Sequence, residues 1–318
     1  MTQPHSISVS PLSRRVLLTG VTAALGASSL MSLGALANPV TRIIVPFPAG
    51  GPADFMGRLL AEKLKDEFGR TVIVENRFGA GTRLAAEVLK NAPADGNTVL
   101  LAPVDPMFIG PLIYDNMRFN AATDFKIITD VVGIQFGLAV NASSPIKTLA
   151  QFVQAAKVSP EKYPIGISTV GTLLHFLAVD LLAQSRISST LVPYRGGAAM
   201  ATFQEYHRSG KLRVLAVAGD KRSDALPDVP TFAESGYPNL VASSRYLLYV
   251  QANVAPAVTV QWAQAMRKVL AMPDVREKLG QSGYERLPAS TPEEIAKYVD
   301  ALTARWTPVI KATGFKGE

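Results

Sequence analysis

The stretch "RIIVPFPAGGPADF", residues 42–55, runs a short apolar strand into a loop with two prolines and two glycines, then into Pro52, Ala53 and Asp54. Beyond it Met56, Leu59, Leu60, Leu64 and Phe68 recur at intervals of three and four, the period of an amphipathic helix. Working outward, "TVIVE" (71–75) and "TVLLA" (98–102) repeat the strand signal, with a helical stretch between them. Strand, helix, strand, helix, strand implies a parallel sheet covered by helices. A second series follows the turn "NASSP" (141–145). It comprises a helix over 148–157, strand "YPIGIS" (163–168), a helix over 172–184, and strands "STLVP" (189–193) and "LRVLAVAG" (212–219). From Ala257 onward the chain reads as helical, and "STPEEIAKYVDAL" opens on a hydroxyl cap followed by two glutamates. The expected architecture is α/β, with two lobes and a helical tail.

At 318 residues and 48% hydrophobic content the chain can bury a large core, and the length favours two folding units. The formal charge is +7, but the first 37 residues hold Arg14 and Arg15 and no acid; without them 30 basic residues face 25 acidic ones, a balance of +5. These charges form no long runs, which disfavours a nucleic-acid surface and permits attraction of small anions. The N-terminal "LSRRVLLTGVTAALGASSLMSLGALAN" places paired arginines before a weakly apolar segment and closes on Ala35, Leu36 and Ala37. It reads as an export signal of twin-arginine type over 1–37, cleaved at Ala37/Asn38, with the general secretion route as the alternative. Its Gly, Ser and Thr content is poor for a membrane anchor. There is no cysteine, so disulfides, thiol catalysis and thiolate metal sites are excluded.

In such sheets ligands sit beyond the carboxyl ends of the strands, where amides of the next helix point outward. The opening loop occupies that position. It lacks the G-x-G-x-x-G of a dinucleotide site, and the chain contains no G-K-[ST] of a phosphate loop, so phosphate cofactors are disfavoured and none is expected. What remains is a close approach of backbone to a carboxylate or polar group at a helix N-terminus, or a tight turn with Pro52 opening the helix; the residues alone leave both open. "GISTVGTLLH" (166–175) repeats the arrangement in the second series, bringing Ser168, Thr169, Gly171 and Thr172 to a helix start. It misses the G-x-S-x-G of a nucleophile elbow, because Val170 precedes the glycine. Past the signal only His175 and His207 remain, the first reading as a half-buried helix residue and the second as an exposed one. An enzyme is therefore not expected, and no carboxylate cluster suggests a metal site.

The segments "IIVPFPAGGPADFMGRLLAEKL", "VIVENRFGAGTRLAAEVL", "APADGNTVLLA", "STVGTLLHFLA", "VPYRGGA", "SGKLRVLAVAGDKRSDALPDVPTFAESGYP" and "MPDVREKLGQSGYE" together resemble the Bug family, in order and over nearly the whole chain after the signal. These are TctC-like periplasmic solute-binding proteins of tripartite tricarboxylate transporters. The resemblance implies a two-lobed periplasmic-binding-protein fold, type II-like and hinged, that closes on a small carboxylate or related solute and delivers it to membrane permease subunits, as a monomer. It also implies that two facing loops pinch the ligand through backbone groups, hydroxyls and bridging waters: Phe47, Ala49, Gly50, Gly51 and Asp54 on one side, Ser168, Thr169, Gly171 and Thr172 on the other. A Cβ at Gly50 or Gly51 would enter the space of that approach or meet a forbidden positive φ.

Three departures from the family pattern stand out. Pro52 and Ala53 replace a further glycine and a frequent threonine, which removes one N–H donor. Arg83 stands where many relatives have asparagine; it reads either as a bidentate clamp for a ligand carboxylate or as a solvated arginine at a helix start. Finally, "GGAAMA" (196–201) meets "TFQEYHRSGKLRV" (202–214) directly, omitting about one strand and its connection, so the second lobe is expected to be shortened, with a gap beside the pocket. Lobe one is expected over 38–138 and 250–318 and lobe two over 139–249, with hinges at 136–140 and 246–250. Arg245 would then lie at the cleft mouth, as a second candidate for ligand charge or as an ordinary surface arginine. A periplasmic sensor subunit would share all these features.

Overall fold

The computed structural model describes residues 40–168, 170–193 and 200–317, without the side chains of 200–202. The expected export signal and its cleavage site, Thr169, and most of "VPYRGGA" lie outside the described residues.

The opening stretch forms strand β1 (Thr41–Val45) and helix α1 (Pro52–Phe68). Proline opens the helix, where its missing N–H costs nothing, and Gly69 ends it in the left-handed conformation at φ 60°. Strand β2 (Val72–Asn76), helix α2 (Arg83–Lys90), strand β3 (Thr98–Pro103) and helix α3 (Asp105–Ile113) follow. A short helix α4 (Ala121–Asp124) leads into the long strand β4 (Phe125–Gln135).

These strands join β9 (Ser243–Gln251) in one sheet of order β2-β1-β3-β9-β4, parallel among the first three and antiparallel on both sides of β9. Each central strand is buried on both faces, which explains its near-continuous apolar sequence. Alternation still assigns the sides. Ile43, Val45, Val99, Leu101, Leu248 and Val250 pack with Met56, Leu60 and Trp262 of α1 and α8 (Pro256–Ala271). Ile44, Leu100, Ala102, Leu247 and Tyr249 pack instead with Leu89, Ile109 and Trp306 of α2, α3 and α10 (Pro292–Ala312). The cap read in "STPEEI" is present: Thr291 Oγ accepts the Glu294 N–H at 3.2 Å while the Glu294 carboxylate accepts the Thr291 N–H at 2.7 Å.

The chain leaves this sheet at Phe136, between β4 and β5 (Gly137–Asn141), inside the expected first crossing. The return differs from expectation. Residues 246–250 lie within β9, bonded to β3 on one side and β4 on the other, so the chain has rejoined the first sheet by Ser243. The apolar run "YLLYV" looks like a connection only if its partners are ignored; as a strand buried on both faces it is ordinary.

The second half holds α5 (Leu149–Val158), β6 (Ile165–Ile167), α6 (Leu173–Ser185), β7 (Leu191–Pro193), α7 (Met200–Arg208) and β8 (Leu212–Val217). Helix α9 (Pro273–Gln281) belongs to the tail. Among the described residues the second half forms two separate pairs, β5 with β8 antiparallel and β6 with β7 parallel. Among the described residues, one helix lies between β7 and β8.

Candidate functional site

Because β1, β2 and β3 run parallel, the loops that follow them emerge on one edge of the sheet. The first is braced from within. Asp54, 3% exposed, accepts the Gly50 N–H and the Arg58 Nε–H on Oδ2, both at 2.9 Å, and Asn76 Nδ2 on Oδ1 at 3.0 Å. The same Asn76 amide donates to the Phe47 carbonyl at 3.1 Å. The Arg58 hydrogen bond, with help from Gly50 and Asn76 and against the cost of burial, holds the Asp54 carboxyl down at about 2. Asp54 thus fixes the loop's shape, with both carboxylate oxygens engaged. Gly50 has φ 83°, which favours glycine, whereas Gly51 is extended at φ −83° and a Cβ there would stand 3.6 Å from the Pro48 carbonyl, an ordinary contact. The conformational demand expected of either glycine falls on Gly50. Ala49 is exposed, and the Phe47 ring packs edge-on against Tyr246 of β9 at 6.3 Å.

The loop after β2 contains a left-handed turn, with φ of 48° at Ala80, 61° at Gly81 and 74° at Thr82. Ala80 and Thr82 carry a Cβ, and such residues reach this region at a cost of about 1–2 kcal/mol each. Arg83 follows directly: its Nε–H donates to the Ala80 carbonyl at 2.8 Å, and its guanidinium lies 3.5 Å over the Tyr114 ring. Both readings of Arg83 must therefore accommodate a side chain already stacked and bonded.

Loop two enters α6 in the expected way. Thr172 is the cap and accepts the His175 N–H, and Gly171, at φ 78°, donates its N–H to His175 Nδ1 at 3.2 Å. His175 is buried, and burial lowers its pKa, so the neutral ring serves as acceptor within the loop. Ser168 is half-buried. A Cβ on Gly171 would come within 3.1 Å of Ile113 in α3 and 3.4 Å of Phe315, so the loop sits closely against α3 and the C-terminal tail.

Asp105, absent from the sequence expectations, makes that junction explicit. It opens α3 at the carboxyl end of β3, is 6% exposed, and accepts the Ser244 hydroxyl at 2.5 Å, with the backbone N–H of Leu173, the first residue of α6, near enough to favour its ionised form. A buried carboxylate from one half is thus held at a helix N-terminus of the other. Burial nevertheless pushes its pKa up against the pull of those bonds. The signal available in the sequence was positional: "APVDP" follows the third parallel strand just as "PFPAGGPAD" follows the first.

Loop one also opens on a groove of about 690 Å³, with Gly50, Gly51, Pro52 and Phe55 on one side and Gln204, Glu205 and Arg208 of α7 on another. Arg245 is not at a free mouth: it bonds Asp130 Oδ2 at 2.9 Å and lies 4.0 Å over the Tyr298 ring. His207 is half-buried and accepts the Val214 N–H on Nδ1 at 3.1 Å, tying α7 to β8.

Loops at the carboxyl edge of a parallel sheet, set against a second α/β half, define the periplasmic-binding-protein class. Solved structures agree. The periplasmic binding protein BugD superposes with a TM-score of 0.77 at 25% identity, covering 88% of this chain and 99% of that one. An R. palustris protein solved with adipate superposes at 0.76 with 24% identity, over 89% and 99%. In sequence, the UPF0065 protein in the gbd 5'region of Cupriavidus necator is 30% identical over 288 residues, 84% of this chain and 87% of its own. The pattern of the tripartite tricarboxylate transporter family receptor matches residues 56–315, and the chain belongs to that family.

Proposed function

We propose that the protein is an extracytoplasmic receptor that captures a small carboxylate or related solute between loop one, the left-handed turn and loop two, and delivers it to the membrane subunits of a tripartite tricarboxylate-type transporter. The observation that carries this reading is the meeting of parallel-strand loops from the first half with the N-terminus of α6 from the second, through Asp105 and Leu173. Amides at two helix starts, α1 and α6, suit a carboxylate better than a neutral group. The adipate held by a structural neighbour is a dicarboxylate of the expected size.

Export over 1–37, with cleavage at Ala37/Asn38, places this receptor in the periplasm as a monomer. Its lobes are 38–138 with 250–318 and 139–249, save that the return crossing lies before Ser243. The ligand set is Phe47, Ala49, Gly50, Gly51, Arg83, Ser168, Thr169, Gly171 and Thr172, with Asp54 holding the first loop in place.

A thermal-shift screen of di- and tricarboxylates tests the reading, since a ligand at a hundred times its dissociation constant adds about 2.7 kcal/mol. With a hit in hand, Thr172→Val and Arg83→Ala are each expected to weaken binding, the second by about 1.5–3 kcal/mol with partial recovery in Arg83→Lys. If no carboxylate raises the melting temperature, or if both variants bind the hit like wild type, the site lies elsewhere.

A further inference from the structure

Beside β4, which ends the first sheet, lies a cavity of about 330 Å³ that shares no lining residue with loop one, loop two or the groove beside loop one. Its floor follows from two irregularities in the strand. The register of β4 shifts between Ile127 and Thr129 and again between Asp130 and Val132, and an extra residue at such a place breaks the alternation of sides. Ile128, Val131 and Val132 therefore pack in one cluster with Leu279 of α9, none more than 5% exposed, and all four line the cavity. The rim has the opposite character. Arg267 of α8, Arg276 of α9 and Arg286 of the segment that follows are exposed and line the same space. Other cations around these helices find acids: Lys268 bonds Glu67 at 2.9 Å and Lys63 bonds Asp274 at 2.8 Å. Among the described residues Arg267 and Arg286 make no hydrogen bond or ion pair, and Arg276 makes one, from Nε to the Leu270 carbonyl at 3.0 Å. The two acids of the lining are engaged already. Asp130 accepts Arg245 Nη1 at 2.9 Å and the Ser290 hydroxyl at 2.7 Å, and the Glu285 carboxyl lies beside Ser223 and Gln135.

We propose that this cavity is a second ligand site, which takes a small monoanion with an apolar tail, the chemistry of a medium-chain carboxylic acid. The buried floor offers hydrocarbon to the tail. A guanidinium matches a carboxylate through paired N–H groups, and its alkyl stem can lie along apolar surface while the charged head stays in water. A dicarboxylate would drive its second charge onto the floor, and a neutral hydrocarbon would leave the rim unused. The volume lies within the range of ligand sites and corresponds to roughly ten non-hydrogen atoms, if each takes about the 30 Å³ share of a water molecule. This site is independent of the solute cleft and differs from it in the tail it favours.

Octanoate, octanol and acetate are titrated calorimetrically into the full chain. Octanoate is expected to bind, and the other two to bind about tenfold or more weakly, because octanol lacks the charge that the rim recognises and acetate lacks the tail. Octanol binding as tightly removes the rim from the site, and acetate binding as tightly removes the floor; either result overturns the proposal. So does failure of octanoate to bind protein whose circular dichroism shows the native fold. Variants then locate the ligand. Arg267→Gln combined with Arg286→Gln is expected to weaken octanoate about tenfold or more, and so is Ala271→Phe, which sets a ring into the cavity from an exposed position on its wall. Thr172→Val, in loop two, is expected to leave octanoate affinity unchanged. Octanoate affinity that survives the cavity variants, or that falls with Thr172→Val, places the ligand elsewhere and refutes the second site, while leaving the reading of the solute cleft untouched.

Discussion

The two halves use the same local device on different foundations. In each, a strand ends, a glycine with positive φ turns the chain, and a helix begins with its amides facing outward: β1, Gly50 and α1 in the first half, β6, Gly171 and α6 in the second. The first device rests on the centre of a five-stranded sheet clad on both faces. The second rests on a strand of 3 residues that pairs, among the described residues, with β7 alone and lines a cavity of about 490 Å³. The first loop can therefore be fixed by its own network around Asp54, whereas the second is steadied by what lies against it, Ile113 and Asp105 of α3 and Phe315 of the tail. A loop's rigidity comes from the sheet beneath it or from the surface opposite, and this chain shows both.

The largest expected effect is a contrast in core truncation. Leu248→Ala, in the middle of β9, is expected to cost about 3–5 kcal/mol, the upper part of the range for a fully packed site. Ile165→Ala, beside the cavity, is expected to cost roughly 2 kcal/mol, because fewer neighbours surround it. Equal losses in chemical denaturation would mean that the second sheet is packed as tightly as the first, and the contrast would fail.

Next in size is Asp54. Removing its carboxylate in Asp54→Ala leaves the Gly50 N–H, Asn76 and Arg58 without their shared acceptor and is expected to cost about 1.5–3 kcal/mol. The same network has a pH signature. The folded-state pKa of about 2 lies below the ordinary 3.8, so its contribution is complete above about pH 4 and is lost as pH falls towards 2. Asp54→Asn is expected to flatten that part of the stability curve; an unchanged slope would place the acid sensitivity in other carboxylates.

The smallest effect separates neighbouring glycines. Gly50→Ala is expected to cost about 1–2 kcal/mol through its positive φ, while Gly51→Ala stays within a few tenths. If ligand affinity nevertheless falls in Gly51→Ala, that glycine serves approach of the solute and not the turn.

Much of this could be read from residues alone, and the part that could not has a common cause. The first three strands and their helices announce themselves because each is a local pattern: buried parallel strands are continuously apolar, and α1 carries its helical period, its proline start and its glycine stop. Loop two was legible for the same reason. The misread features depend on partners distant in sequence. Residues 246–250 look like a crossing until β3 and β4 are seen on either side, and Arg245 looks available until Asp130 and Tyr298 are placed beside it. Asp105 is an ordinary acid before a proline in one dimension; only folding brings Leu173 to it.

In the proposed solute site, that last contact would make the protein its own competitor. A carboxylate attached to the chain and poised at the Leu173 amide acts at an effective concentration in roughly the millimolar range or above, without any diffusional search. A solute bound there through this amide would have to displace it, and only the difference between the two acids would count towards affinity. Selectivity at that position is then a contest of geometry: a guest wins by reaching further donors that the tethered group cannot.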